Sequence, residues 1–175
     1  MLELFLSFII SLSLFLNDIT YFFKAPTGQI TEYGIYEEHP DDVLKTVQNS
    51  STTNPSTKLH SLEPVLMEYT RKIAIEESVS FGFDYELHNL PNGDVEFEWQ
   101  VTHPEMVKAD GSSSTDYTYT RKHNMKDHSY YGYSAYTLEE PYELVAGEWT
   151  FSYSYKGKEL LKQSFVTYWE SSAKQ

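Results

Sequence analysis

The chemically capable groups of this 175-residue chain are six histidines, 26 acidic residues and many hydroxyls. Their spacing decides which reactions they could support. His123-Asn124-Met125-Lys126-Asp127-His128 is the one local histidine cluster. Imidazole and thioether ligands suit copper. Lys126 opposes a cation in the middle of the run, however, and the plainer reading is a polar loop between strands. No histidine has metalloprotease or zinc-finger spacing, so no metal and no cofactor is expected. Serines are plentiful, but no Gly-x-Ser-x-Gly elbow occurs. Asp110-Gly111-Ser112-Ser113-Ser114-Thr115-Asp116 lacks the calcium-loop spacing and reads as a turn. The carboxylates best placed for paired work are Asp84, Glu86, Glu96 and Glu98, on outward positions of two successive strands. In a hairpin Glu86 would face Glu96 and Asp84 would face Glu98, and like charges directly opposite are destabilising. Strands in different sheets, or a solvated face, are the simpler expectation. A hydrolase with paired carboxylates therefore ranks last, and the chain is read as a non-enzyme.

Tyrosine is the other recurrent polar group, with 15 copies. Tyr117 and Tyr119 share one face of their strand. Tyr130, Tyr131, Tyr133 and Tyr136 crowd both faces of the next. A sandwich core takes only one face of a strand, so some of these six rings are expected at the surface as a ligand-binding patch. Such a patch would suit a glycan, a small ligand or a protein partner.

Composition narrows the field further. Thirteen Lys and Arg against 26 Asp and Glu give a net charge of −13, which argues against nucleic acid. The absence of cysteine excludes disulfides, thiolate metal sites and cysteine nucleophiles. Aromatics make up 16% of the chain, too many for a disordered acidic protein.

Leu4 to Leu16 is an uncharged apolar run. It fits the apolar region of a signal peptide and is short for a membrane span. Residues 1–23 are therefore expected to be a signal peptide or an uncleaved N-terminal anchor. Glu3 and the lack of a good small-x-small cleavage site depart from the usual pattern. The body is expected to be exported: periplasmic, secreted or held at the outer face of a membrane. It would touch a membrane only through residues 1–23.

From residue 24 the pattern is that of strands. Phe81, Phe83, Tyr85 and Leu87 alternate with small or polar residues, as do Val95, Phe97, Trp99 and Val101, then Trp149, Phe151, Tyr153 and Tyr155. Val65, Met67 and Tyr69 alternate likewise. Period two puts each set on one face. Weaker strands are predicted at 30–36, 115–121, 130–137 and 160–168. Turn signals lie at 90–94, 108–111, 145–147 and 156–158. Seven or eight such strands predict an all-β, immunoglobulin-like antiparallel β-sandwich over residues 24–169. Matching faces predicts Trp149 opposite Phe165, with a three-residue loop at 156–158. Segment 38–61 is polar and is expected as a long mobile loop carrying a formal glycosylation acceptor, Asn49-Ser50-Ser51. Residues 170–175 are expected to form a disordered tail.

Four stretches carry a family resemblance: Tyr33-Gly34-Ile35-Tyr36-Glu37, Phe81-Gly82-Phe83, Leu90-Pro91-Asn92-Gly93, and the run from Leu138 through Pro141-Tyr142-Glu143-Leu144 and Gly147-Glu148-Trp149 to Phe151. They resemble a bacterial domain-of-unknown-function family across roughly residues 29–168. Similar proteins are small, often exported and immunoglobulin-like. Val145-Ala146-Gly147 departs from the Pro-Gly turn expected there. The resemblance implies fold and compartment and supplies no catalytic residues. The resulting expectation is a non-catalytic binding or structural module of the bacterial cell envelope, with an envelope protein or glycan as partner.

Overall fold

Period-two alternation leaves each strand with one aromatic face, which is stable only when a second such face covers it. The computed structural model satisfies this with two packed sheets. It describes residues 24–39, 41, 45–48, 56–59 and 64–170. The expected leader at 1–23, the Asn49 acceptor and the tail beyond residue 170 lie outside these residues.

The strands are β1 (Thr27–Glu37), β2 (Lys45–Gln48), β3 (Ser56–Leu59), β4 (Val65–Glu68), β5 (Lys72–Ala74), β6 (Ser80–His88), β7 (Gly93–Val107), β8 (Ser113–Met125), β9 (Ser129–Thr137), β10 (Gly147–Tyr155) and β11 (Lys158–Tyr168). One sheet has the order β4-β1-β6-β9 and the other β5-β11-β10-β7-β8. Pairing is antiparallel except for β5, which runs parallel to β11. Within the segment expected as a loop, β2 and β3 form a separate antiparallel pair. All eight predicted strands are present. The sandwich adds only β5, whose three residues are too short to show alternation. Among the described residues no helix is long and apolar enough to cross a membrane.

The core is aromatic. Phe81, Phe83 and Tyr85 of β6 meet Trp99 of β7 and Trp149, Phe151 and Tyr153 of β10, all buried. Phe83 stacks on Trp99 at 5.9 Å, and Trp149 meets Phe81 edge-on at 5.5 Å. Such offset and edge-on pairs add to simple burial.

Trp149 pairs with Phe165 and Tyr153 with Leu161, the expected register. The loop differs. It is the two residues Lys156-Gly157, with φ of 49° and 78°, the positive pair that a type I′ turn needs. Ser154 then pairs with Glu159 and Tyr155 with Lys158, so the register slips by one after Tyr153. A bulge that leaves Leu160 as the extra residue thus reconciles the short turn with the facing of the rings.

Gly34 and Gly82 lie opposite each other on β1 and β6. A Cβ on Gly34 would overlap the Glu68 carbonyl oxygen, and one on Gly82 would overlap the Ser134 carbonyl oxygen. Both neighbouring strands therefore press on this row. Gly82→Ala is expected to cost about 1–3 kcal/mol or more through forced displacement of β9, read as a lowered thermal midpoint. An unchanged midpoint would show that β9 does not press on β6 there.

Candidate functional site

β8 and β9 leave a shared turn as a hairpin and then separate. The turn is Asp127-His128, with φ of 49° and 60°, closed by two backbone hydrogen bonds between Lys126 and Ser129. Aspartate and histidine tolerate this left-handed backbone better than most residues. Beyond the turn β8 becomes the edge of the five-stranded sheet and β9 the edge of the four-stranded one. A seam opens between them.

Side chains fill the seam in order. Next to the turn, His123 stacks on Tyr130 at 4.1 Å. At the wide end Tyr117 reaches Tyr136 at 6.5 Å. The progression between these contacts places Gly132 across from Arg121 and Ser134 across from Tyr119. Tyr117 and Tyr119 stack in parallel at 6.0 Å. The Arg121 guanidinium lies 5.0 Å from the Trp99 ring and 5.4 Å from the Tyr119 ring, a stabilising cation–π geometry. A Cβ on Gly132 would crowd the Tyr85 hydroxyl at 2.8 Å, so glycine makes room for that phenol.

A polar chain runs under the narrow end. The Tyr153 hydroxyl accepts from Tyr85 at 3.1 Å and from Arg121 Nη1 at 3.5 Å. It lies 2.8 Å from His123 Nε2, to which it donates when the neutral ring carries its proton on Nδ1. Burial, then the nearby Arg121 charge, lower the His123 pKa to about 4, which keeps the ring neutral. Burial pushes the phenols of Tyr85, Tyr117 and Tyr119 above their usual range.

At the wide end Pro141–Glu143 forms a short 3-10 turn. It buries the Glu143 carboxylate against three donors: the Tyr136 hydroxyl at 2.7 Å and the amides of Glu139 and Glu140 at 2.8 and 2.9 Å. Tyr136 also packs on Trp149 at 4.7 Å.

The structure divides the six predicted tyrosines. Tyr117, Tyr119, Tyr130 and Tyr136 line the interior seam. Tyr131 and Tyr133 face outward from the four-stranded sheet. There Tyr133 packs on Tyr36 at 4.9 Å, and Tyr131, 68% exposed, is the ring left in solvent. One surface patch is therefore not assembled, because alternation along β9 sends neighbouring rings to opposite faces. The carboxylates are divided too. β6 and β7 lie in different sheets, Glu86 contacts His88 at 2.9 Å and Glu96 contacts Lys122 at 3.5 Å. His123 and His128 diverge, the latter placing Nδ1 3.0 Å from the Leu90 carbonyl. Among the described residues no group of three potential ligands gathers for a metal.

Arg121, Gly132 and Ser134 were not singled out from sequence. The available signal was phase: Arg121 and His123 continue the inward alternation of Tyr117 and Tyr119.

The sequence pattern of a family described as domain of unknown function (DUF3859) matches residues 24–167. The chain belongs to this family. No curated protein matches it by sequence. An immunoglobulin-like protein from Pseudomonas aeruginosa shares its fold, with a TM-score of 0.60 at 20% identity over 83% of this chain and 98% of that one. A Pseudomonas fluorescens alkylpurine DNA glycosylase, AlkC, bound to DNA containing an abasic site analog, overlaps 55% of this chain and 27% of its own with a TM-score of 0.37 at 10% identity. That weaker likeness carries no argument here.

In this DUF3859 domain the four motif stretches have structural tasks. Gly34 and Gly82 form the tight row across β1 and β6. The 90–93 turn carries the chain between sheets, and Asn92 Oδ1 accepts from the His128 amide at 2.8 Å. The Pro141-Tyr142-Glu143 turn caps the seam. Gly147 N and Trp149 Nε1 both donate to Thr167 Oγ1, at 3.1 and 3.2 Å, and Thr167 donates to the Val145 carbonyl at 2.6 Å.

Two outcomes follow from these contacts. Tyr136→Phe removes a hydrogen bond to a buried carboxylate and should cost about 1.5–3 kcal/mol in urea unfolding. A parental midpoint would show that Glu143 does not depend on that hydroxyl. For His123, the unfolded chain protonates near pH 6.5 and the folded one only near 4. Its contribution to stability is present above pH 6.5 and is lost as pH falls toward 4. His123→Gln should flatten the fall in melting temperature across this window; an identical pH profile would contradict the depressed pKa.

Proposed function

We propose that this DUF3859 domain is a non-catalytic binding module of the bacterial cell envelope whose ligand engages the seam between β8 and β9. The carrying observation is the split hairpin. Two edge strands on one flank leave their ladders to separate sheets, and the seam between them is lined by a guanidinium, a buried serine hydroxyl and two stacked tyrosines. Apolar walls with a few convergent polar groups are the general form of a ligand site. The titration behaviour supports binding over catalysis. Acid–base catalysis favours groups poised near the working pH, whereas the seam phenols titrate above their usual range and His123 near 4. The immunoglobulin-like scaffold is compatible with such a role. The apolar run Leu4 to Leu16 supports export, with a glycan or an envelope protein as the partner class.

A reporter enzyme fused after Gln175 is expected to be active outside the cytoplasm and to lose that activity when residues 1–23 are deleted. Cytoplasmic activity unaffected by the deletion would overturn the envelope reading. A photo-crosslinking residue at Tyr117, at the wide end of the seam, should form an adduct in intact cells. An equal yield of the same adduct from Lys162, on the outer face of β11, would overturn the seam as the binding surface.

A further inference from the structure

We propose that the seam is a carboxylate-binding site, in which Arg121 receives the anionic group of the ligand and the Tyr119 and Ser134 hydroxyls flank it. This names the ligand class for the binding reading above and rests on it.

The first observation is an unbalanced charge. Arg121 sits among Trp99, Tyr119 and Tyr153, all neutral, and among the described residues no carboxylate pairs with it. A guanidinium carries five N–H donors. The contacts made here are the long bond to Tyr153 at 3.5 Å and the approach to Tyr119. Arg121 is half-buried; charges drawn out of solvent are ordinarily paired, and this chain has 26 acidic residues from which a partner could have come. The carboxylate buried at the wide end, Glu143, is already engaged by Tyr136 and two amides.

The second observation is independent of the first. Ser134 is 2% exposed and its hydroxyl has no hydrogen-bond partner. Buried hydroxyls are rarely left so. It lies across the seam from Tyr119, one inward position from the place opposite Arg121. A ligand oxygen held by Arg121 would supply the acceptor that Ser134 lacks.

Shape and charge choose the anion. The guanidinium fork matches a planar carboxylate through two parallel hydrogen bonds. Tyr119, half-buried beside the guanidinium, gives it a flat apolar wall suited to an aromatic or aliphatic acid, while the buried Trp99 ring backs the guanidinium from the core side. The neutral neighbours leave the site with one positive charge, which balances a monoanion better than a phosphate dianion. The group could belong to a free organic acid or to the C-terminus of a peptide.

Benzoate and N-acetylphenylalanine serve as probes for these two sources, with benzamide and inorganic phosphate as comparisons, titrated into the full chain while Trp emission and amide NMR shifts are followed. Saturable shifts at β8 and β9 residues are expected for at least one carboxylate, with benzamide at least about tenfold weaker. Arg121→Met should abolish binding while melting near the parental temperature, because loss of the cation–π contacts is offset by removal of a charge without a carboxylate partner and the packing volume is kept. Ser134→Ala should melt like the parent and bind more weakly. A peptide C-terminus is identified by preference for N-acetylphenylalanine, and a free acid by preference for benzoate. The proposal is overturned by equal binding of benzamide, by tighter binding of phosphate, by no binding of either carboxylate, or by an Arg121→Met variant that binds as the parent does. If Arg121→Met fails to fold, Ser134→Ala and Arg121→Lys decide, since undiminished affinity in both also overturns it. Loss of the carboxylate site with a persisting Tyr117 adduct leaves the binding-module reading standing, so the two failures are separable.

Discussion

β8 and β9 cannot both keep their hairpin hydrogen bonds and lie in different sheets. Past the Lys126–Ser129 closure each edge gives up the other as a partner, and the gap must be filled by side chains. Large rings on β8 and small residues on β9 do this at the centre, where Arg121 and Tyr119 face Gly132 and Ser134. The rings of Tyr130 and Tyr136 close the two ends. The Asp127-His128 turn and the turn from Leu90 to Gly93, both of which carry the chain between sheets, are tied together through His128 and Asn92. The opening is thus set by the connectivity of the sandwich.

Filling such a gap with tyrosine brings polar atoms into the interior, and each must then be satisfied. Tyr85, Tyr153 and His123 satisfy one another. Tyr136 is answered by Glu143, which is itself held by backbone amides. Thr167 gathers the Gly147 amide and the Trp149 indole. Within this network Arg121 and Ser134 stand out among the described residues, one with no counter-charge and the other with no hydrogen-bond partner. Both lie in the seam.

Membership in the DUF3859 family and the likeness to an immunoglobulin-like protein account for the scaffold. The motif stretches that identify the family do structural work in this chain: a glycine pair that lets strands close, turns between strands, and a buried glutamate that caps the seam. The seam residues Arg121 and Ser134 lie outside those stretches.

Much of the architecture was legible in the sequence because a strand's facing depends only on period two. Phe81 to Leu87, Val95 to Val101 and Trp149 to Tyr155 declare their inward faces without any neighbour, and the Trp149–Phe165 register follows from matching them. The glycines at 34 and 82 could be read as motif positions, but not as a row pressed by flanking strands. β5 was invisible because three residues show no period. The bulge at Leu160 was hidden because it is a compromise between turn geometry and ring facing. What tertiary structure alone decided is the seam. Alternation told which tyrosines share a face of their own strand, while the assignment of β8 and β9 to different sheets decided that four of the six look inward at each other. That assignment depends on long-range pairing with β6 and β7, a contact energy spread over the whole sandwich and written in no local pattern.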